Sequence, residues 1–337
     1  MIWIAWRFQR SVVIALVLLG LIVIGGALFV GVVQHHDLVQ LQSVRCRRVQ
    51  TVIPQNCNPT LVLANVSWLD SYIRVAGYVF APLVGALLGV FALASEIDNR
   101  TARLAWTQSI SRTRWFVAKA GVGAATVTVI LVPTAIVLSW WNGAVGSNNI
   151  FGAQTFDIAG WVLVAYGLFM FALTMLLGAV IRRVGWALAA SVLVFLLVAV
   201  VVPRERAHFV PSTVSWQTIS VSSKGATVTY SGAFAANSWL LVNGVVPRST
   251  VGTPTWNEVL ATQPRVQTCV SDFKTKTESA YVKAERSCYK RFDVEQVSVY
   301  IAGDQFWTLQ LREGLLYLGA GLVLAGGALV LVRRVEP

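Results

Sequence analysis

Six stretches of this sequence run for about 20 residues without a charged side chain: Ser11–Val33, Val75–Ser95, Ala120–Trp141, Ile158–Ile181, Val184–Val202 and Gly314–Val332. A helix of that length crosses a hydrocarbon core of about 30 Å. It also satisfies its own backbone groups where no water can reach them. The pattern predicts an all-α polytopic membrane protein with six transmembrane helices. The first run is too long for a signal-peptide core, and no small-residue cleavage pattern follows it, so it is expected to stay as an anchor. After the fifth run the periodicity changes. Val214–Tyr230 partly alternates apolar and polar residues on both sides of Lys224-Gly225, which predicts a β-hairpin. Ser271–Phe292 is rich in Lys, Glu and Ala and lacks Gly and Pro, which predicts a helix. The chain thus reads as residues 1–202 with five spans, a small mixed α/β domain at 203–305, and residues 306–337 with the sixth span and a tail.

Finer features sit on this frame. Residues 1–10, with Ile2, Trp3, Ile4, Trp6 and Phe8 ahead of a basic end, predict an amphipathic N-terminal helix lying on the membrane surface. Trp68, Tyr72, Trp140, Trp141, Trp161 and Trp307 fall at the ends of spans, where aromatic rings favour the headgroup level. Asp70 and Arg74, four apart on one helix, are expected to form a surface ion pair. Pro82 and Pro133 lie inside the second and third spans and invite kinks, which serve as gates in some transporters and are tolerated in others. Gly314, Gly319, Gly321, Gly326 and Gly327 on the sixth span predict close packing against other helices.

Charge sets the orientation. Arg7 and Arg10 precede the first span, Arg100, Arg103, Arg112, Arg114 and Lys119 separate the second from the third, Arg182 and Arg183 separate the fourth from the fifth, and Arg333 and Arg334 follow the sixth. Six crossings place all four groups on one side, which the positive-inside rule makes the cytoplasm, with both termini inside. Residues 34–71, 142–157 and 203–305 then form external loops. Composition agrees with the bilayer as solvent: 12% of the 337 residues are charged and 56% hydrophobic, against about 25% charged in soluble domains. The net charge of +12 is read as contact with anionic membrane lipids and not with nucleic acid, since no recognition motif accompanies it. All four cysteines, Cys46, Cys57, Cys269 and Cys288, fall in external segments, which predicts disulfides. Proximity in sequence favours Cys46–Cys57 and Cys269–Cys288 among three connectivities.

No P-loop, HExxH, GxSxG or paired-Cys motif occurs, and three histidines are scattered, so the chain is not expected to be an enzyme or to hydrolyse ATP itself. No metal site is expected. Two segments carry candidate function. Gln310 and Glu313, three apart at the start of the sixth span, share a helix face and are candidates for a translocation path; simple anchoring or ion pairing near the interface is the plainer alternative. The second segment is residues 95–119, SEIDNRTARLAWTQSISRTRWFVAK. It has an acidic start, a short helical stretch with Leu104, Ala105 and Trp106 in need of a cover, and a Ser-rich basic turn. It reads either as a helix resting on lipid or as a docking helix for another protein.

This loop resembles the cytoplasmic loop of type-2 ABC transporter permeases, the membrane subunits of bacterial ABC exporters. Glu96, Asp98, Thr101, Leu104, Ser111, Arg112 and Lys119 match its pattern in order. The N-terminal IWIAWRFQR and the Phe306-Trp307, Gln310, Glu313 series are similar to the same family's. Arg100 stands where the family usually has Gly. The resemblance implies a coupling loop seated on a separate ABC ATPase, with Glu96, Asp98, Thr101, Leu104, Trp106, Ser111 and Arg112 in contact. It implies two ATPase copies, a second permease copy or a paralogue, and a path between first, second and fifth spans. ATP and Mg would be bound by the ATPase and no cofactor by this chain. The implied function is export of a drug, peptide or lipid-like substrate across a bacterial plasma membrane. The alternative reading is a membrane sensor whose external domain binds a ligand.

Overall fold

The computed structural model describes residues 2–44, 64–94, 98, 111–144, 150–221, 228–230, 238–247 and 294–334. Seven α-helices are present among them: α1 (Ile2–Val44), α2 (Ala64–Gly89), α3 (Arg112–Ala144), α4 (Ala153–Ile158), α5 (Val162–Ile181), α6 (Val184–Glu205) and α7 (Phe306–Arg334). A π-helical turn, Val90–Ala94, extends α2, and a tight 3-10 turn, Arg206–His208, extends α6. Every helix except α4 is long and apolar enough to cross a membrane, in agreement with the six charge-free runs. Side-chain hydroxyls within these spans turn inward: Thr126, Thr128, Thr134, Ser139, Thr174 and Ser191 each donate to the carbonyl four residues earlier, so no hydroxyl among them meets lipid unsatisfied.

The chain divides into two compact units, one comprising Met1–Ser147, Gly152–Arg206 and Leu309–Pro337, the other Asn148–Phe151 and Ala207–Thr308. The second unit holds an antiparallel sheet of β1 (Thr213–Val221), β2 (Val228–Tyr230), β3 (Trp239–Pro247) and β4 (Val294–Ile301), in the order β2-β1-β4-β3. Ile219 pairs with Tyr230 and Val221 with Val228, which is the hairpin anticipated around Lys224-Gly225. Val242, Val297 and Val299 form the buried cluster of this sheet, with Val214 and Leu241 against it. Phe151 stacks on Trp239 at 5.9 Å and meets Phe306 edge-on at 5.8 Å. The helix expected at 271–292 and all four cysteines lie outside the described residues.

In the helical unit the tightest contact joins α2 to α5. A Cβ placed on Gly85 would lie 2.1 Å from the Gly167 carbonyl oxygen, and one on Gly89 would lie 2.6 Å from the Phe171 carbonyl oxygen. Gly85 and Gly89 are spaced as the small-xxx-small motif that lets two backbones meet in a membrane. The sixth span differs from expectation. Gly314, Gly321 and Gly327 do approach Trp161, Phe169 and Leu176, but a Cβ added at Gly319 or Gly326 would meet nothing within 4 Å. Leu322 and Val323 on the same helix are 75% exposed. Its glycines are thus divided between one packed face and one open face, and the close helix pair lies elsewhere.

Three further expectations need correction. Residues 2–10 are helical but form the first turns of α1, with no break to make a separate surface helix. Arg112, Arg114 and Lys119, read as loop, belong to α3, and Lys119 is buried with its ammonium 5.0 Å from the Trp115 ring. Trp141, placed at the headgroup level, is fully buried in protein beneath the Arg74 guanidinium, 4.7 Å from its carbon to the ring. Both α2 and α3 run through their prolines, Pro82 and Pro133.

Candidate functional site

The segment 142–157, read as a short external loop, contains a helix: its residues from Gly152 onward belong to the helical unit. Asn142 to Ala144 finish α3, and α4 follows at Ala153–Ile158 with Thr155, Phe156, Asp157 and Ile158 all buried. The turn from α4 into α5 passes through Gly160, whose φ of 63° suits a residue without a Cβ. The Gly160 amide donates to Ser139 Oγ at 2.6 Å.

Two arginines hold this short helix. Arg74 on α2 pairs with Asp70 at 2.9 Å, as expected from their spacing, but its guanidinium reaches further: Nη1 donates to Asn142 Oδ1 and to Thr155 Oγ1, both at 3.2 Å. The pair is therefore partly buried and ties α2 to α3 and α4, beyond an isolated surface bridge. Arg206, just past α6, is the second clamp. Its Nη2 donates to Asp157 Oδ1 on α4 and, at 2.9 Å, to Glu313 Oε1 on α7, while Nε donates to Glu313 Oε2 at 2.8 Å. The Tyr166 hydroxyl on α5 donates to Glu313 Oε1 at 3.2 Å. The guanidinium lies over the Phe156 ring at 4.1 Å. Arg206 and Asp157 are 1% exposed and Glu313 is 0% exposed. Gln310, one turn before Glu313, is equally buried: its Nε2 donates to the Phe156 carbonyl at 2.9 Å, and its Oε1 accepts from the Val162 amide at 3.3 Å. Arg312 between them is exposed.

Removing three charges from water costs several kcal/mol per ion unless geometry and hydrogen bonds repay it. Here the repayment is incomplete. Asp157 Oδ2 has no hydrogen-bond partner among the described residues, nor has the Tyr317 hydroxyl, although Tyr317 stacks edge-on against Tyr166 at 4.5 Å. Burial pushes the Asp157 carboxyl up to about 6; Arg206 and the neighbouring Tyr166 hydroxyl oppose the rise and Glu313 adds to it.

The opposite end of the helical unit carries Asp98, Ser111 and Arg112 from the candidate coupling set. Glu96, Thr101, Leu104 and Trp106 lie outside the described residues. Ser111 caps α3: its Oγ accepts from the Arg114 amide at 3.3 Å and its carbonyl from the Trp115 amide at 3.0 Å. Ser111→Ala is expected to lower stability by about 0.5–1 kcal/mol, measured as a small drop in melting temperature of the solubilised protein. Arg112 Nη1 donates to the Arg333 carbonyl at 3.3 Å, and Arg333 Nε donates to Thr113 Oγ1 at 3.0 Å, joining the start of α3 to the end of α7. Asp98 Oδ2 accepts from the Val184 amide at 3.2 Å, at the first turn of α6, where a carboxylate meets the positive end of the helix dipole. The turn before it holds Arg182 in the left-handed region, φ 57°, closing α5 with an amide bond to the Gly178 carbonyl.

The structure thus brings Gln310 and Glu313 together with Asp157 and Arg206, two residues that the sequence patterns do not single out. Asp157 sits alone between Phe156 and Ile158 in an apolar stretch, a signal in plain view. Arg206 is one basic residue among many in a long segment, and nothing local marks it. Among the described residues, no three or more His, Cys, Asp or Glu side chains gather as metal ligands would. Residues 12–206 match the family described as ABC-2 membrane transporter related. No curated protein matches the chain, and no solved structure does.

Proposed function

We propose, from the premise that this chain belongs to the ABC-2 membrane transporter related family, that it is the permease subunit of an ATP-driven exporter. The family supplies membrane transport subunits that generally work with an ABC ATPase and are not themselves catalytic. With six apolar helices, the chain is a multi-pass membrane protein. In this reading the basic end is cytoplasmic, residues 203–305 are external, and residues 95–119 dock on a separate ATPase that binds ATP and Mg. Two permeases, identical or paralogous, and two ATPases enclose the path for a drug, peptide or lipid-like substrate.

The observation that carries the reading is the set of ties at the basic end. Asp98 is bonded to the start of α6, and Arg112 and Thr113, which follow the loop directly, are bonded to Arg333 at the end of α7. A push on the loop is therefore passed to α3, α6 and α7 together. Hydrogen-bond networks of this kind are one physical carrier of coupling between a docking site and the helices behind it. The family assignment does not favour a ligand sensor, and no described contact speaks for one.

Arg112→Glu combined with Leu104→Asp is expected to abolish co-purification with the ATPase, or at least remove the membrane subunit's effect on ATP hydrolysis, while the protein still inserts and folds. Unaltered co-purification and transport in that variant would defeat the assignment of this loop.

A further inference from the structure

Four carboxylate oxygens surround the Arg206 guanidinium, and three of them are matched by donors. Asp157 Oδ1 accepts from Arg206 Nη2, Glu313 Oε2 from Arg206 Nε, and Glu313 Oε1 from both Arg206 Nη2 and the Tyr166 hydroxyl. Asp157 Oδ2 alone is open, on a side chain that is 1% exposed. The charge is unbalanced in the same direction. With both carboxyls ionised, one guanidinium faces two carboxylates, leaving a net negative charge buried in the helical unit. Like charges that share a site cannot both ionise freely, and a buried net charge is relieved by neutralising one member.

We propose that Asp157, Arg206 and Glu313 form a proton-binding site, which takes up a single proton from the medium on Asp157 Oδ2. The bond formed is O–H on the one oxygen without a donor. The cluster passes from net −1 to neutral, and no other group changes charge. Glu313 keeps its two bonds to Arg206, so Asp157, and with it α4, is the partner whose grip weakens.

The groups facing Asp157 come from every neighbouring helix. Tyr78 on α2 feels Asp157, Glu313 and Arg206. Tyr166 comes from α5, Arg206 from the end of α6, and Glu313 and Tyr317 from α7. On α4 itself, Thr155 is held by Arg74, whose charge Asp70 balances. No second cation among these is placed to match the second carboxylate. The position of Asp157, pushed up to about 6 chiefly by burial, puts uptake within the range that external acidification covers. The sign follows from linkage: the folded protein holds this proton more tightly than the unfolded chain. The group's contribution to stability is therefore largest in acid and is lost as pH rises from the ordinary carboxylate value to about 6. None of this requires an ATPase partner, so it fails or stands apart from the exporter reading.

The test is infrared spectroscopy of the full chain in lipid nanodiscs, titrated from about pH 8 to about pH 5, with isotope-labelled aspartate to mark the band as an aspartate's in the unaltered protein. A protonated-carboxyl band that shifts with the label is expected to grow with a midpoint near 6. Asp157→Asn should abolish it. Glu313→Gln should move the midpoint down by at least about one pH unit, because Asp157 then has Arg206 to itself. Absence of any label-sensitive band across the range would overturn the proposal, as would a band unchanged in Asp157→Asn. A band that appears only when sodium is removed would also overturn it, by showing a metal cation in the proton's place.

Discussion

Arg206→Ala is expected to cost the fold about 3–5 kcal/mol, the usual loss when one partner of a buried ion pair is removed. Arg206 is the only cation bonded to Asp157 and Glu313 among the described residues, so its loss strands two carboxylates away from water. Purified protein should melt well below the unaltered chain and expression should fall. The deficit should shrink in acid, where Asp157, already raised by burial, can take up a proton instead. The apolar triple variant Arg206→Met, Asp157→Val, Glu313→Met should recover most of the stability, since replacing a buried ionic cluster by hydrophobic residues of similar volume is often neutral or stabilising. A melting temperature unmoved by Arg206→Ala would show that the network holds nothing together.

Gly85→Leu should give no folded protein. At Gly85 even a methyl group would lie 2.1 Å from the Gly167 carbonyl oxygen, a backbone atom that cannot rotate aside. The helices would have to separate, losing the contacts of α2 with α5 along their length. Gly85→Ala, the milder test, should cost about 1–3 kcal/mol or more, the range for overpacking a close contact. Gly319→Ala is the control: a Cβ there meets nothing within 4 Å, and stability should stay within about 0.5 kcal/mol. Thermal unfolding and size-exclusion profiles of the three variants in one detergent decide the matter. Gly85→Ala behaving like Gly319→Ala would mean that the two backbones do not approach as closely as described.

The contrast between Gly85 and Gly319 shows where sequence reading reaches its limit. Five glycines on the sixth span stand out by number, yet two of them face open space. Gly85 and Gly89 carry the sharper signal through their spacing, but the Gly167 that meets Gly85 lies on another helix and at no fixed offset. Trp141 shows the same limit. An aromatic residue at the end of a span belongs at the headgroups by rule, and only tertiary contacts, with Arg74 of α2 over its ring and Gly31 of α1 beside it, make it a buried platform. Gln310 and Glu313 are legible as an unusual polar pair in an apolar helix. Their partners are not, because Arg206 and Glu313 are 107 residues apart and Arg206 and Asp157 are 49 apart.

Hydrophobicity summed over about 20 residues is a local quantity, and so the amino-acid order by itself determined the six spans and the hairpin around Lys224-Gly225. Which spans touch, and which charges meet, depends on how helices distant in the chain are brought side by side. Only the tertiary structure showed the buried helix α4 at Ala153–Ile158 within a segment read as loop, and only it gathered Asp157, Arg206 and Glu313 into one cluster. The reason is physical: a helical backbone satisfies its hydrogen bonds with near neighbours, whereas a buried charge must find its counter-charge wherever in the fold it lies.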